Sequence, residues 1–176
     1  MVISFSMFGA SYAWYAYSNA ETTISGSTID EAPAVIFAQD NYVLANSNMP
    51  ILDEDRYSYS NMNSFNITFG SNLTKYDTAI TISLTDINIS DELKSVNYKY
   101  ELLENEKTIS TGDFSMLGDS HELVIMPSKI IDVITYPTTY VYDLLIWLSD
   151  DGTDQNYLMN KTFSAKVKVN SAMKRK

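Results

Sequence analysis

Apolar residues alternate with polar ones along most of the chain after residue 35, and this period of two limits its fold more than any other feature. In the last such run, Phe163, Ala165, Val167 and Val169 alternate with polar or charged residues. A β-strand with one buried face has this period, because successive side chains point to opposite sides of a sheet. The sequence therefore predicts an all-β protein built from half-buried strands.

Breaks in the alternation predict where strands bend and turn. The apolar phase flips at Asp86, which indicates a bulge or tight turn there. The polar run Glu104-Asn105-Glu106 predicts a hairpin between two strands. A short strand around Leu123 is expected to stop at Pro127, because proline cannot donate to a ladder.

One strand is expected at the centre of a sheet, and helices are expected to be rare. Residues 139–148 are apolar on both faces, which is typical of a strand covered on both sides. Helical signals extend to about one turn each, in residues 90–93 and 155–159. Residues 46–63, with Pro50 and many Ser, Tyr and Asn, are expected to form a long surface loop.

Short strands at regular intervals, with little helix, predict an antiparallel two-sheet sandwich. The pattern does not separate a jelly-roll from an immunoglobulin-like order. A chain of 176 residues is long enough for one such domain with a sizeable core. We divide it into an apolar segment at 1–13, an arm at 14–30, a sandwich at 31–170 and a basic tail at 171–176.

Charge and composition exclude several functions. The net charge is −10, which argues against a nucleic-acid partner, because phosphate binding requires clustered Lys and Arg. The chain has no Cys, which excludes thiol catalysis, disulfides and Cys-ligated metals. The basic residues at 174–176 are expected to be solvated, with contact to an anionic wall or membrane surface as the alternative.

Candidates for catalysis are few. His121 is the only histidine, and in a surface strand it would point away from its neighbour Glu122. No nucleophile elbow and no pair of histidines at zinc-protease spacing occurs. We therefore do not expect an enzyme.

An oxygen-rich loop is the one candidate metal site. Asp150, Asp151 and Asp154 surround Gly152 in a turn that could offer several oxygen ligands to calcium. The EF-hand spacing is absent, so an ordinary connection between strands is the stronger interpretation. The acidic run Asp53-Glu54-Asp55 is a weaker candidate, and no other cofactor is expected.

The N-terminal residues resemble an export signal. Residues 1–13 are apolar, and small residues at Ser11 and Ala13 would allow a signal peptidase to cut after Ala13. The segment is too short to span a bilayer, so membrane contact would be transient. The alternative is an N-terminal core strand of a cytoplasmic protein.

The junction after the apolar segment begins with the run Gly9-Ala10-Ser11-Tyr12-Ala13-Trp14-Tyr15-Ala16-Tyr17 and continues through Asn19 to Gly26. This stretch resembles the N-terminal region of the TasA and camelysin family. The resemblance implies an exported subunit of a Gram-positive biofilm fibre, processed by a dedicated signal peptidase. It also implies that the arm of one subunit completes a sheet of the next. Camelysin has been described as a protease, but this chain lacks a recognisable zinc motif.

The arm suits that role on physical grounds. Residues 14–30 carry too little apolar surface to fold alone, yet their backbone could pair with an exposed sheet edge. Trp14, Tyr15, Tyr17 and Ile24 would fix the register. The sequence therefore predicts a self-assembling filament subunit at the cell surface or outside the cell. Two alternatives remain: the arm folds back on its own domain, or the protein is a monomeric adhesin or carbohydrate-binding module that uses Tyr57, Tyr59 and residues 150–156.

Overall fold

The computed structural model describes residues 35–38, 43–45, 48–69, 76–119, 121–131 and 137–175. These residues form ten strands, one α-helical turn and three 3-10 turns. The strands are β1 Val35–Ala38, β2 Val43–Ala45, β3 Pro50–Ile51, β4 Asn61–Phe69, β5 Tyr76–Ile89, β6 Tyr98–Glu104, β7 Lys107–Asp113, β8 Leu123–Ile131, β9 Thr138–Ser149 and β10 Phe163–Arg175. The helix α1 spans Arg56–Tyr59, and the 3-10 turns span Asp53–Asp55, Asp91–Leu93 and Asn156–Leu158.

The strands form two sheets, which confirms the predicted all-β sandwich. Sheet A has the order β1-β4-β9-β6-β7, and β3 pairs with the end of β9. Sheet B has the order β2-β10-β5-β8. All pairs are antiparallel except β3 with β9.

Four of the strand pairs are nested within one another along the chain: β2 with β10, β4 with β9, β5 with β8, and β6 with β7. This nesting gives the sandwich two distinct ends. The loop end holds the connections 48–60, 90–97, 114–122 and 150–162. The hairpin end holds the first residue of β1, the last residue of β10 and the turn between β6 and β7.

The core lies between the inner faces of the sheets. Tyr98, Phe114 and Phe163 form its aromatic centre near the loop end, with Phe114 and Phe163 ring centroids 4.9 Å apart. Phe65 stacks on Tyr142 across β4 and β9 at 5.3 Å. Alternation along β10 buries the side chains that the period of two assigned to the core.

Two predicted irregularities are confirmed. Asp86 has a φ of 50°, and β5 gains one residue relative to β10 beside it, so the apolar phase flips at a bulge. Asn105 and Glu106 have φ values of 47° and 67° and join β6 to β7. A tight two-residue hairpin turn of type I′ requires positive φ at both positions.

Two expectations about strand limits are wrong. β8 does not stop at Pro127 but continues to Ile131. Pro127 is tolerated because β8 is the edge strand of sheet B and its register shifts on either side of Met126.

The expected loop at 46–63 instead contains β3, α1 and the start of β4. The helix α1 lies on the outer face of sheet A, where it contacts β9. β10 continues past residue 170 to Arg175, so most of the basic run belongs to a strand. The apolar segment 1–13 and the arm 14–30 lie outside the described residues.

Candidate functional site

On one side of the sandwich, two consecutive strands, β1 and β2, belong to different sheets. β1 pairs with residues 66–69 of β4 in sheet A, and β2 pairs with residues 163–165 of β10 in sheet B. The registers show that both strands run from the hairpin end towards the loop end. β1 therefore borders sheet A near the hairpin end, and β2 borders sheet B at the loop end.

The end of β10 is the candidate edge, and we call residues 170–175 the open edge. β5 pairs with β10 along its full length, and β2 pairs with the other side of β10 at residues 163–165. From Asn170 to Arg175 the register with β5 runs without a shift, and the described strands give this stretch no second ladder partner. Six regular residues expose about 20 Å of strand edge, which is a template for a further strand.

The side chains of β10 that precede the open edge follow the alternation of the strand. Val167 and Val169 are buried between the sheets. Lys166 faces outward, and its ammonium lies 2.8 Å from Asp86 Oδ2, which lowers the pKa of that carboxyl through a hydrogen bond. The buried hydroxyl of Thr78, on the neighbouring strand, has no hydrogen-bond partner among the described residues.

The residues predicted for the arm and its processing cannot be placed on the structure. Ala13, Trp14, Tyr15, Tyr17 and Ile24 all lie outside the described residues. Val35, where β1 begins, pairs with Phe69 at the hairpin end. The open edge ends there too, so the chain enters the sandwich at the end where the edge is uncovered.

A second group of functional candidates covers the outer face of sheet A. Glu101 points outward from β6, yet only 1% of its side chain is exposed. Its carboxylate accepts hydrogen bonds from Arg56 Nε, the Thr108 hydroxyl and, at 3.0 Å, the Tyr57 hydroxyl. Burial acts to raise the pKa of Glu101, but these donors outweigh it and the pKa is lowered.

We call residues 52–60, which lie on this face, the cover. Asp53, in the first 3-10 turn, contributes a second carboxylate to it. It accepts hydrogen bonds from Lys99 Nζ at 2.6 Å and Trp147 Nε1 at 2.9 Å. Burial opposes ionisation, but these bonds and one from Ser149 lower the pKa of Asp53 to about 2. An apolar group packs beside these carboxylates: Ile51, Leu103, Leu145 and Trp147.

A cleft of about 330 Å³ lies between this cover and strands β6 and β7. Arg56 and Lys99 line it, but each is paired with a carboxylate of the cover. The arrangement therefore holds residues 52–60 against the sheet. The sequence analysis did not predict this contact between residues 52–60 and sheet A. Its signal was the pair of apolar residues Leu145 and Trp147 on the outer face of β9, which a covering segment would have to bury.

The residues proposed for a binding module lie in different environments. Tyr57 is exposed but binds Glu101 through its hydroxyl, and Tyr59 is exposed on the last residue of α1. In the loop after β9, Asp150, Asp151 and Asp154 each accept a hydrogen bond from the backbone N–H two residues later.

Such bonds shape a loop without needing a cation. Within the described ranges, no three His, Cys, Asp or Glu residues are grouped so that they could hold a metal ion. Calcium at this loop stays a prediction from sequence.

His121 lies in the connection before β8 and not within a strand, so its expected setting is wrong. Its φ is 49°, its Nδ1 lies 2.8 Å from the carbonyl oxygen of Ile87, and its own carbonyl accepts the N–H of Ile87. These bonds tie the connection to β5.

Comparison with known families, curated proteins and solved structures found no match to this chain. None of the helices in the described parts of the chain is long and apolar enough to cross a membrane.

Proposed function

We propose that this chain is an exported structural subunit of a bacterial surface filament or biofilm matrix, related to the TasA and camelysin family. Subunits join when residues 14–30 of one add as a strand to the open edge of the next. The observation that carries this proposal is the regular end of β10, residues 170–175, which pairs with β5 on one side and has no second ladder partner among the described residues. A regular, uncovered edge is the feature that strand addition needs.

The arm fits the edge in length and charge. Seventeen residues span roughly 55 Å when extended, more than the edge requires. Glu21 and Asp30 lie in the arm, and Lys166 and Lys168 lie on the edge strand. Ladder hydrogen bonds would supply affinity, while Trp14, Tyr15, Tyr17 and Ile24 would fix the register, because a slip of one residue turns every side chain to the wrong face.

We further infer that the sandwich is a jelly roll. Its support is the nesting of four antiparallel pairs, which is the pairing of one long hairpin rolled into two four-stranded sheets. An immunoglobulin-like sandwich has a different strand order, with its first, second, fifth and fourth strands in one sheet. In this interpretation β1 and β3 are additions to the eight-stranded roll.

Microscopy of the purified protein tests the function. The form that begins at Trp14 should give filaments whose amount rises with concentration, and deletion of residues 14–24 should abolish them. A synthetic peptide of residues 14–30 should bind the deletion variant at one per chain and stop growth of the parent. A peptide of the same composition in scrambled order is the matched control. A protein that stays a soluble monomer under all conditions would refute the proposal.

Export has its own test. N-terminal sequencing of the protein released by its host should begin at Trp14. A cytoplasmic protein that retains Met1 would contradict it.

A binding module is the second candidate, favoured by the cleft that Arg56 and Glu101 line, because both residues contact the exposed Tyr57. In that case Tyr57→Ala should abolish binding to a panel of soluble saccharides, while Tyr157→Ala, at an exposed tyrosine outside the proposed site, serves as the control. Filaments formed equally well by both variants would favour the first candidate.

A further inference from the structure

The cover is tied to sheet A by strand pairing at both of its ends. Just before it, Ile51 pairs with Ser149 of β9, and just after it, Asn61 pairs with Ile146 of the same strand. Residues 52–60, which lie between these points, belong to no ladder among the described strands. A movement of the cover would therefore leave every described strand pair intact.

The cover adds little apolar burial of its own. None of residues 53–59 is buried, although they include two tyrosines. The buried apolar side chains at this boundary, Leu145 and Trp147, belong to the sheet. Segments with few buried apolar contacts open at a lower free energy than the core around them.

Polar contacts between side chains hold the cover in place. Arg56 pairs with Glu101 of β6, and Lys99 of the same strand pairs with Asp53. The indole N–H of Trp147 also donates to Asp53, at 2.9 Å. Each of these contacts joins the cover to the sheet, so all of them would break together if the cover lifted.

Opening would return these charges to water. Glu101 points outward, and Arg56 and Tyr57 of the cover are among the groups that bond its carboxylate. The attraction within a buried ion pair is largely offset by the cost of removing both charges from water. Separating the pair into solvent therefore costs much less than leaving one partner buried alone.

We infer that the cover opens as a unit while both sheets stay folded. Its hinges are Leu52 and Ser60, the residues with extended backbone at its two ends. In the open state the cleft of about 330 Å³ loses the wall formed by Asp53 and Arg56, and the outer face of sheet A becomes accessible. The cover is thus a gate over this face, and the inference does not depend on the proposed filament.

Thiol labelling measures the opening, because the parent has no Cys. Leu144 and Leu145 are buried neighbours on β9, but Leu144 packs in the core between the sheets and Leu145 packs in the outer group. In native buffer, Leu145→Cys should react with a small thiol reagent about a hundredfold faster than Leu144→Cys, the matched control. Low urea should change the first rate little and raise the second steeply, because local opening exposes less surface than unfolding.

Equal labelling rates with the same urea dependence would overturn the inference, since the cover would then open only when the whole domain unfolds.

The buried ion pair should set the labelling rate. Adding Arg56→Ala to Leu145→Cys should raise the rate about a hundredfold, because the closed cover would then hold an unpaired carboxylate. Lys94→Ala, which removes an ion pair with Asp91 on the connection 90–97, is the control and should leave the rate unchanged. A rate that does not respond to Arg56→Ala would contradict a gate held by this pair.

Hydrogen exchange gives a second measurement that needs no cysteine. The indole proton of Trp147 bonds to Asp53 across the boundary, so it should exchange with deuterium when the cover opens. Followed by NMR, its exchange should depend little on urea, whereas the backbone N–H of Leu144 should exchange only through unfolding. The chain has two tryptophans, and Trp14→Phe assigns the signal. The same urea dependence for both protons would overturn the inference.

Discussion

The two sheets of this sandwich differ in how they are covered. In sheet A, the last residues of β9 are buried on both faces, because residues 52–60 pack over Leu145 and Trp147. In sheet B, β10 alternates between a buried inner face and an outward face that carries Lys166 and Lys168. The outer face of sheet A is thus covered by the chain near the end of β9, while the outer face of sheet B exposes Lys168 to solvent.

The edges of sheet B differ as well. β8 carries Pro127 and register shifts, features that prevent a further strand from pairing. The open edge of β10 has no proline and no register shift after Lys166. β8 therefore carries two features that hinder strand addition, and residues 170–175 of β10 carry neither.

The largest effect is expected on the covered face of sheet A. Arg56→Ala would leave the buried carboxylate of Glu101 without its cation, and breaking such a pair costs about 3 kcal/mol of unfolding free energy. Urea denaturation would measure it. Lys168→Ala on sheet B is the control, and it should change stability little.

A double variant sharpens this result. Arg56→Met with Glu101→Leu removes both charges and should recover most of the loss, because apolar replacement of a buried pair is often neutral or stabilising. Stability that stays as low as in Arg56→Ala would mean that α1 is held by its shape and not by this pair.

Alternation was enough to predict the sandwich, the bulge at Asp86 and the turn after Glu104. It could not predict the cover of sheet A, because Arg56 and Glu101 are 45 positions apart in the sequence and meet only in the folded protein. Nor could it predict the open edge. Which strands lie side by side is decided by tertiary packing, and the change of sheet between β1 and β2 is invisible in a pattern with period two.

Acid should loosen the same cover to a smaller extent. The pKa of Asp53 is lowered to about 2 in the folded protein from an ordinary value of 3.8. A group with a lowered pKa stabilises the fold above its ordinary pKa, and this contribution is lost as the pH falls through the folded value. Unfolding free energy should therefore decline between about pH 4 and pH 2.

Asp53→Asn tests the assignment, because it removes the group that titrates. Its urea midpoint should be lower than that of the parent at pH 7 and should change less between pH 4 and pH 2. An identical pH dependence in parent and variant would show that other carboxylates govern acid unfolding, with Glu101 the first to examine, since its pKa is also lowered.

The smallest effect on unfolding is expected at Pro127, where the consequence should appear in association. Pro127→Val restores a backbone N–H on β8 without touching a buried side chain, since Pro127 is exposed. The unfolding free energy should change by less than about 1 kcal/mol. If proline protects this border, the variant should form laterally branched aggregates by microscopy, while Ser128→Val, at the next exposed position, should not. Unbranched filaments from Pro127→Val would show that the register shifts of β8 are enough to prevent a further strand from pairing. The regularity of the backbone, and not the presence of proline, would then be the main difference between β8 and the end of β10.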